Sequence, residues 1–313
     1  MAVEIWQPII IDRISMLVTI GSDDLYSFIY AQLKAMEEES KVLLPYGKIV
    51  VRFNKSNYTT RLDYYPKYAN GEGGKRKIVD ITLGKNKIKG LESLYMHLTL
   101  TLYPSKFEAN EFERLKEILA MLFDIYDYST FYNYGQVNYL ELAWDCRSHA
   151  NHTFLPFQKS ISKSYIYTEK DGCRGTVYIG SSESDRYMRI YDKRKKNVKD
   201  GVEAKSGLPR TRFESVRRRL HLAAPELANI ENPFLSLKVA DLGKAKALQV
   251  DFEWPAFLAD CESMGVPRAL PTVKSNQSRR KKYTAALNSV PASWWKPHNA
   301  WKHFPTALLK IAP

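Results

Sequence analysis

The chain has 313 residues, 47 Lys and Arg against 34 Asp and Glu, and a formal charge of +13. That is long enough for one large domain or two smaller ones, and basic enough to expect a polyanion: nucleic acid first, an acidic membrane surface second. A hydrophobic fraction of 44% excludes a disordered polyelectrolyte, and charge breaks every apolar run well short of the about 20 residues that a membrane helix needs.

The first seven residues lack the basic start and apolar core of a signal peptide. Cys146, Cys173 and Cys261 form no CxxC pair or zinc pattern. Their spacing predicts free thiols in a reducing, cytoplasmic compartment.

Residues 7–21 read as a strand rich in isoleucine and valine. Ser22-Asp23-Asp24 then predicts a helix N-cap, with a helix to about residue 38. Strand candidates follow at 48–53, 58–65, 77–84 and 94–103, with a glycine-rich loop at 70–74. In the last strand Tyr95, His97, Thr99 and Thr101 alternate with Met96, Leu98, Leu100 and Leu102, the period of a half-buried strand. Residues 108–127 carry apolar positions at helical spacing. A second run of strands is expected at 136–146, 164–169, 175–180, 186–193 and 210–219. Two runs of strands separated by a helix predict an α+β fold with a largely antiparallel sheet flanked by helices, and the two halves read as candidate pseudo-repeats.

After about residue 220 the chain becomes helical and proline-punctuated. From Gly265 to Pro313 it contains no Asp or Glu, but holds Arg279, Arg280, Lys281, Lys282, Trp294, Trp295 and Trp301 among others. We expect a domain over 1–220 and a basic, helical, DNA-binding appendage over 221–313, its cations meeting phosphates and its tryptophans stacking on bases. The plainer alternative is a solvated tail that packs through its tryptophans.

The chemistry concentrates in GTVYIGSSESDRYMRIYDKRKKN (175–197). On a strand, Tyr187, Arg189, Tyr191 and Lys193 share one face, and Met188 and Ile190 anchor the other. An isolated tyrosine there would be a packing residue. Two phenols among cations are instead candidates for attack on a phosphodiester, because positive neighbours favour the phenolate and stabilise the phosphate under attack.

Two further strands supply carboxylates: YLELAWDC with Glu141 and Asp145, and TRFESVR with Glu214. They read either as oxygen ligands of a hard cation, Mg²⁺ or Mn²⁺, or as ion-pair partners of Arg189, Arg212 or Arg217. Glu141 and Asp145 stand about 13 Å apart on a straight strand, too far to share one ion easily. His149 and His152 form an HxxH in a polar loop and read as surface histidines. No P-loop, GxSxG or HExxH motif is present.

The order LELAWD, then VYIGSSESDRYMRIYDK, then RTRFE resembles the trans-type family of plasmid rolling-circle replication initiators and related phage replication initiation factors. The resemblance spans roughly residues 8–220. Tyr178, Gly180, Ser184, Asp185, Arg186, Arg189, Ile190, Tyr191 and Lys193 match the family's central motif, and Arg212 and Glu214 its last. Glu141 stands where the family commonly has Asp.

The resemblance implies a metal-dependent, site-specific DNA nickase and strand transferase that starts rolling-circle replication through a 5′-phosphotyrosine. It implies Tyr191 as nucleophile aided by Arg189 and Lys193, and Glu141, Asp145 and Glu214 as ligands of Mg²⁺ or Mn²⁺. The expected partner is origin DNA, single-stranded or cruciform, contacted by Arg186, Tyr187, Arg194, Lys195, Lys196, Arg212, Arg279, Arg280, Lys281 and Lys282. A host helicase and a second copy of the chain stay open as partners. So do two other functions, a non-catalytic DNA-binding regulator and a relaxase- or transposase-like strand transferase.

Overall fold

A computed structural model describes residues 7–38, 42–44, 47–54, 59–66, 77–87, 94–108, 110–123, 126–147, 149–150, 152–158, 163–169, 174–200, 208–273 and 277–313. The 70–74 loop and Cys173 lie outside them.

The chain opens with β1 (Ile10–Thr19) and α1 (Asp23–Glu38). Ser22 Oγ accepts the Leu25 N–H at 3.2 Å, and Asp23 and Asp24 occupy the first turn, so the cap and the acids both favour a helix start there. Strands β2 (Val42–Leu44), β3 (Gly47–Asn54), β4 (Thr59–Pro66), β5 (Val79–Lys87) and β6 (Leu94–Leu102) follow, then helices α2 (Glu111–Phe123) and α3 (Tyr128–Tyr134). The helix expected over 108–127 is α2, shorter at both ends, and α3 follows beyond it. The Asp127 carboxylate accepts the Thr130 N–H at 2.7 Å and starts α3 as a new helix.

Next come β7 (Gln136–Arg147), β8 (Phe154–Phe157), β9 (Ser164–Thr168), β10 (Arg174–Ile179), β11 (Arg186–Asp192), α4 (Lys193–Lys199), β12 (Arg210–Leu222) and β13 (Lys238–Asp241). The C-terminal part adds α5 (Leu242–Ala247), α6 (Trp254–Met264), α7 (Val266–Thr272), α8 (Gln277–Ser289), α9 (Pro297–Trp301) and α10 (Phe304–Leu309). No helix among the described residues is long and apolar enough to cross a membrane.

The fold is α+β. Eleven strands form a sheet in the order β2-β3-β4-β5-β6-β1-β7-β12-β11-β10-β9, and β13 pairs with β8 in a small second sheet. Pairing is antiparallel from β2 through β6, from β6 to β1, and from β12 through β9. The chain folds as two compact units: residues 1–10, 142–218 and 231–306 make one, and residues 11–141, 219–230 and 307–313 the other. The division falls inside the covalently continuous strands β1, β7 and β12.

In the unit holding β3–β6, the alternation read in the sequence becomes a core. Met96, Leu98, Leu100 and Leu102 of β6 are buried, with Ile29 and Leu33 of α1 and Leu115, Ile118 and Leu119 of α2. In the other unit, Val177, Ile179, Met188, Ile190 and Phe213 form the apolar face of β10–β12, and Tyr187, Tyr191, Arg212 and Glu214 of the opposite face are buried as well.

The C-terminal helices are not a detached tail. Trp254, Phe257 and Leu258 of α6, Val266 and Ala269 of α7, and Tyr283 and Leu287 of α8 form one apolar cluster with Leu155, Phe157 and Ala240. Trp295 packs on Trp144 and Phe213, with centroids 5.0 and 4.8 Å apart, and Trp294 packs edge-on against Phe154 at 5.2 Å. Trp294 and Trp295, both half-buried, thus serve as packing residues in this unit. Their indoles remove more apolar area from water here than any exposed placement would.

Candidate active site

The basic block that opens at Lys193 folds differently from its sequence pattern. Strand β11 ends at Asp192, whose carboxylate accepts the Lys195 N–H at 2.9 Å and caps α4. Lys193 therefore begins a helix and does not continue the alternating strand face. An aspartate directly before the helix, able to accept one of its otherwise unsatisfied first N–H groups, outcompetes one more strand residue.

Strand pairing sets the rest of the site. Residues directly opposite in an antiparallel pair point to the same face. Tyr178 of β10 faces Arg189 of β11, Arg189 faces Glu214 of β12, and Tyr191 faces Arg212. One face therefore carries Tyr178, Tyr187, Arg189, Tyr191, Arg212 and Glu214. The reverse face carries Met188, Ile190 and Phe213, which are buried and fix the register.

Tyr191 Oη donates to Glu214 Oε1 at 2.6 Å. Arg189 Nη2 lies 2.6 Å from Glu214 Oε2. Lys196 Nζ, on the first turns of α4, lies 5.2 Å from the Tyr191 ring centroid. Glu214 is 1% and Tyr191 9% exposed, while the Arg189 side chain is 27% exposed, so the cluster meets solvent chiefly along the arginine. A phenol donating to a buried carboxylate has a proton acceptor already in place, and the guanidinium beside it can offset charge that builds on a nearby phosphate.

Asp145 and Arg212 form a separate buried pair. Arg212 Nε and Nη2 donate to the two Asp145 oxygens at 2.6 and 2.9 Å. Such fork-shaped pairing satisfies both groups away from water, the ion-pair alternative that the sequence had left open. Arg212 Nη1 also stands 4.0 Å from Glu214 Oε1.

The acidic pair with metal-ligand spacing, both members in the unit that holds β3–β6, is Asp12 and Glu141, whose carboxylate oxygens lie within 4.8 Å of each other. Asp145 is not in it. Asp12, which sequence reasoning passed over, is. Its signal was an aspartate inside the apolar run IIDRI. Glu141 accepts from Tyr139 Oη at 2.9 Å, and Asp12 from Ser105 Oγ at 2.5 Å. Glu214 Oε2 has no aligned hydrogen-bond donor although it is buried. Crowded carboxylates repel one another in a low-dielectric site. Two hard oxygen donors this close suit one side of a divalent cation such as Mg²⁺ or Mn²⁺.

The remaining predicted residues are placed as follows. Tyr187 is 7% exposed and stacks on Tyr178, their centroids 6.2 Å apart. Arg186 is exposed and faces Arg217 across the β11–β12 ladder. Lys195 Nζ pairs with Glu169 at 3.3 Å, and Arg194 lies on α4 with it. On α8, Arg279 pairs with Glu253 at 2.6 Å, Arg280 donates to the Pro271 and Val273 carbonyls, and Lys282 donates to the Val250 carbonyl. Lys281 lines an apolar groove with Val266 and Leu270. These α8 contacts tie the helix to its own unit, and none of them reaches the Tyr191–Glu214 pair. His149 stacks on Trp294 at 4.6 Å. Its burial lowers the imidazole pKa, against a smaller opposing pull from Asp241.

No family model and no curated protein matches the chain. Among solved structures it is similar to a rolling circle replication initiator protein from Geobacillus stearothermophilus. The two are 12% identical over 83% of this chain and 99% of that one, with a TM-score of 0.37. A score that low fixes neither the fold nor the chemistry.

Proposed function

We propose that the chain is a DNA-nicking and strand-transfer enzyme that initiates rolling-circle replication, with Tyr191 as its nucleophile. The observation that carries the reading is the hydrogen bond from Tyr191 Oη to Glu214 Oε1 at 2.6 Å, with Arg189 at the other oxygen of the same carboxylate. The sequence resemblance around residues 175–193 supports the same assignment independently.

In the proposed reaction Glu214 accepts the Tyr191 proton as Oη attacks phosphorus. The new O–P bond forms as the P–O3′ bond breaks. The DNA 5′ end stays on Tyr191 as a phosphodiester, and the 3′ oxygen leaves as a hydroxyl once protonated. Arg189, the best exposed member of the cluster, offsets the charge on the phosphate. A divalent cation, with Glu141 among its expected ligands, would add Lewis-acid polarisation of a phosphate oxygen. The Arg212–Asp145 pair holds β12 against β7 residues of the same unit and so positions Glu214. The phosphotyrosine keeps the energy of the phosphodiester, so a 3′-hydroxyl can displace Tyr191 later and reseal the strand.

The test is incubation with a supercoiled plasmid bearing the cognate origin and Mg²⁺ or Mn²⁺, followed by denaturing electrophoresis. Nicked DNA attached to protein is expected for the native chain, and neither nick nor adduct for Tyr191→Phe. A non-catalytic regulator would bind without forming the adduct.

A further inference from the structure

Resting on the nicking reading, the geometry points to a base-stacking track for single-stranded DNA formed by the exposed rings of Tyr165 and Tyr167, backed by Tyr178 and the buried Tyr187, which leads across the sheet to Tyr191. Tyr165 of β9 pairs directly with Tyr178 of β10, Tyr178 with Arg189 of β11, and Arg189 with Glu214 of β12. These four positions are one rung of the ladder and share one face. Tyr167, two residues from Tyr165, returns to that face, as Tyr187 and Tyr191 do on either side of Arg189.

The rings touch in sequence. Tyr167 meets Tyr178 edge-on at 5.6 Å, and Tyr178 stacks on Tyr187 at 6.2 Å with 24° between planes. Tyr165 and Tyr167 are 45% and 64% exposed. Large apolar faces left in water on a sheet whose other face is core call for an occupant.

Charge selects that occupant. Arg218 lies 5.5 Å over the Tyr187 ring and Lys196 lies 5.2 Å over the Tyr191 ring, with Arg189 between them. Aromatic faces interleaved with cations suit a chain of unstacked bases on a phosphate backbone. Duplex DNA would leave the rings unused, because its bases already stack on one another. From β9 to β11 the track spans two strand spacings, about 10 Å, or about three nucleotides at the stacked rise of about 3.4 Å per strand. Burial raises the Tyr178 pKa, against a smaller lowering by Arg189, so that phenol stays neutral as a stacking surface beside the reactive one.

The experiment uses the full chain carrying Tyr191→Phe, so that no cleavage occurs, and a labelled oligothymidylate alongside the same backbone with abasic sites. Binding is read by fluorescence anisotropy. Adding Tyr165→Ala and Tyr167→Ala, both exposed positions outside the core, should weaken oligothymidylate binding about tenfold or more, in line with alanine substitution at base-stacking aromatics. Abasic binding should not change, and Tyr167→Phe should retain the native affinity. Oligothymidylate affinity within twofold of the parent, or equal loss on the abasic strand, overturns the track. So does a shift in sedimentation with unchanged DNA binding, which would make this face a self-association surface along the edge strand β9. Loss of base-dependent binding in a chain whose Tyr191 forms no adduct would leave the track standing and remove only the nickase.

Discussion

Glu214 takes part in two contacts that compete for its charge. One oxygen accepts a hydrogen bond from Tyr191 Oη and the other faces Arg189. Glu214→Gln keeps the volume and removes both the base and the ion pair. Adduct formation should fall by about 10²–10⁴-fold, the range for losing a positioned general base, while DNA affinity changes little. A single-turnover assay at fixed Mg²⁺ reads both quantities. Asp145 tests a different idea. Its bidentate partner Arg212 is buried, so Asp145→Ala strands a charge and should destabilise the fold by about 3–5 kcal/mol in urea unfolding. The double change Asp145→Leu with Arg212→Met should recover most of that loss. A catalytic ligand would lose activity without such a rescue of stability, which separates the structural role of Asp145 from the proposed role of Glu141.

Short-range capping decides where elements end, and it is where the sequence is hardest to read. Asp192 lies on the alternating pattern of β11, yet it caps α4. The pattern alone extends the strand by one residue and turns Lys193 into a site cation. Asp192→Ala should cost about 1 kcal/mol and unwind α4, measurable as a lower melting temperature and faster amide exchange over 193–199. The strand periodicities themselves were legible. β6 and β11 each show a clean period of two and their apolar sides are buried, but the period did not reveal that His97, Thr101, Tyr187 and Tyr191 on the other sides are buried too. Asp12 was not legible, because one acid in a strongly apolar strand looks like a tolerated surface residue until its neighbours across the sheet are known.

His149 adds a pH-dependent element. Its folded pKa is lowered by burial, so the unfolded chain takes up the proton first as pH falls through about 6.5. Stability contributed by the neutral ring against Trp294 is therefore full above that pH and is lost progressively below it. Urea unfolding between pH 8 and pH 5, about 1.5 units either side of that value, should show the decline, and His149→Gln should flatten it.

Over the whole molecule, the charge of +13 predicts a steep fall of DNA affinity with salt. The C-terminal part does more than carry charge. Deletion after Gly265 removes Tyr283 and Leu287 from the apolar cluster and Trp294 and Trp295 from their stack against Phe213 and Trp144. We expect the truncated chain to lose cooperative unfolding altogether, where a detachable arm would leave it intact and weaken only binding. Composition made the region basic and aromatic without revealing that its aromatics face inward, since their burial depends on packing against Trp144, Phe154 and Phe213, far earlier in the chain.

The claim on which the rest depends is that Tyr191 Oη becomes covalently bonded to DNA. Mass spectrometry of proteolysed protein after reaction with an origin-bearing supercoiled plasmid and Mn²⁺ would locate the bond. The account predicts a nucleotide-modified peptide carrying Tyr191, absent from Tyr191→Phe. The same adduct on Tyr187 or any other residue, or undiminished adduct in Tyr191→Phe, would contradict it.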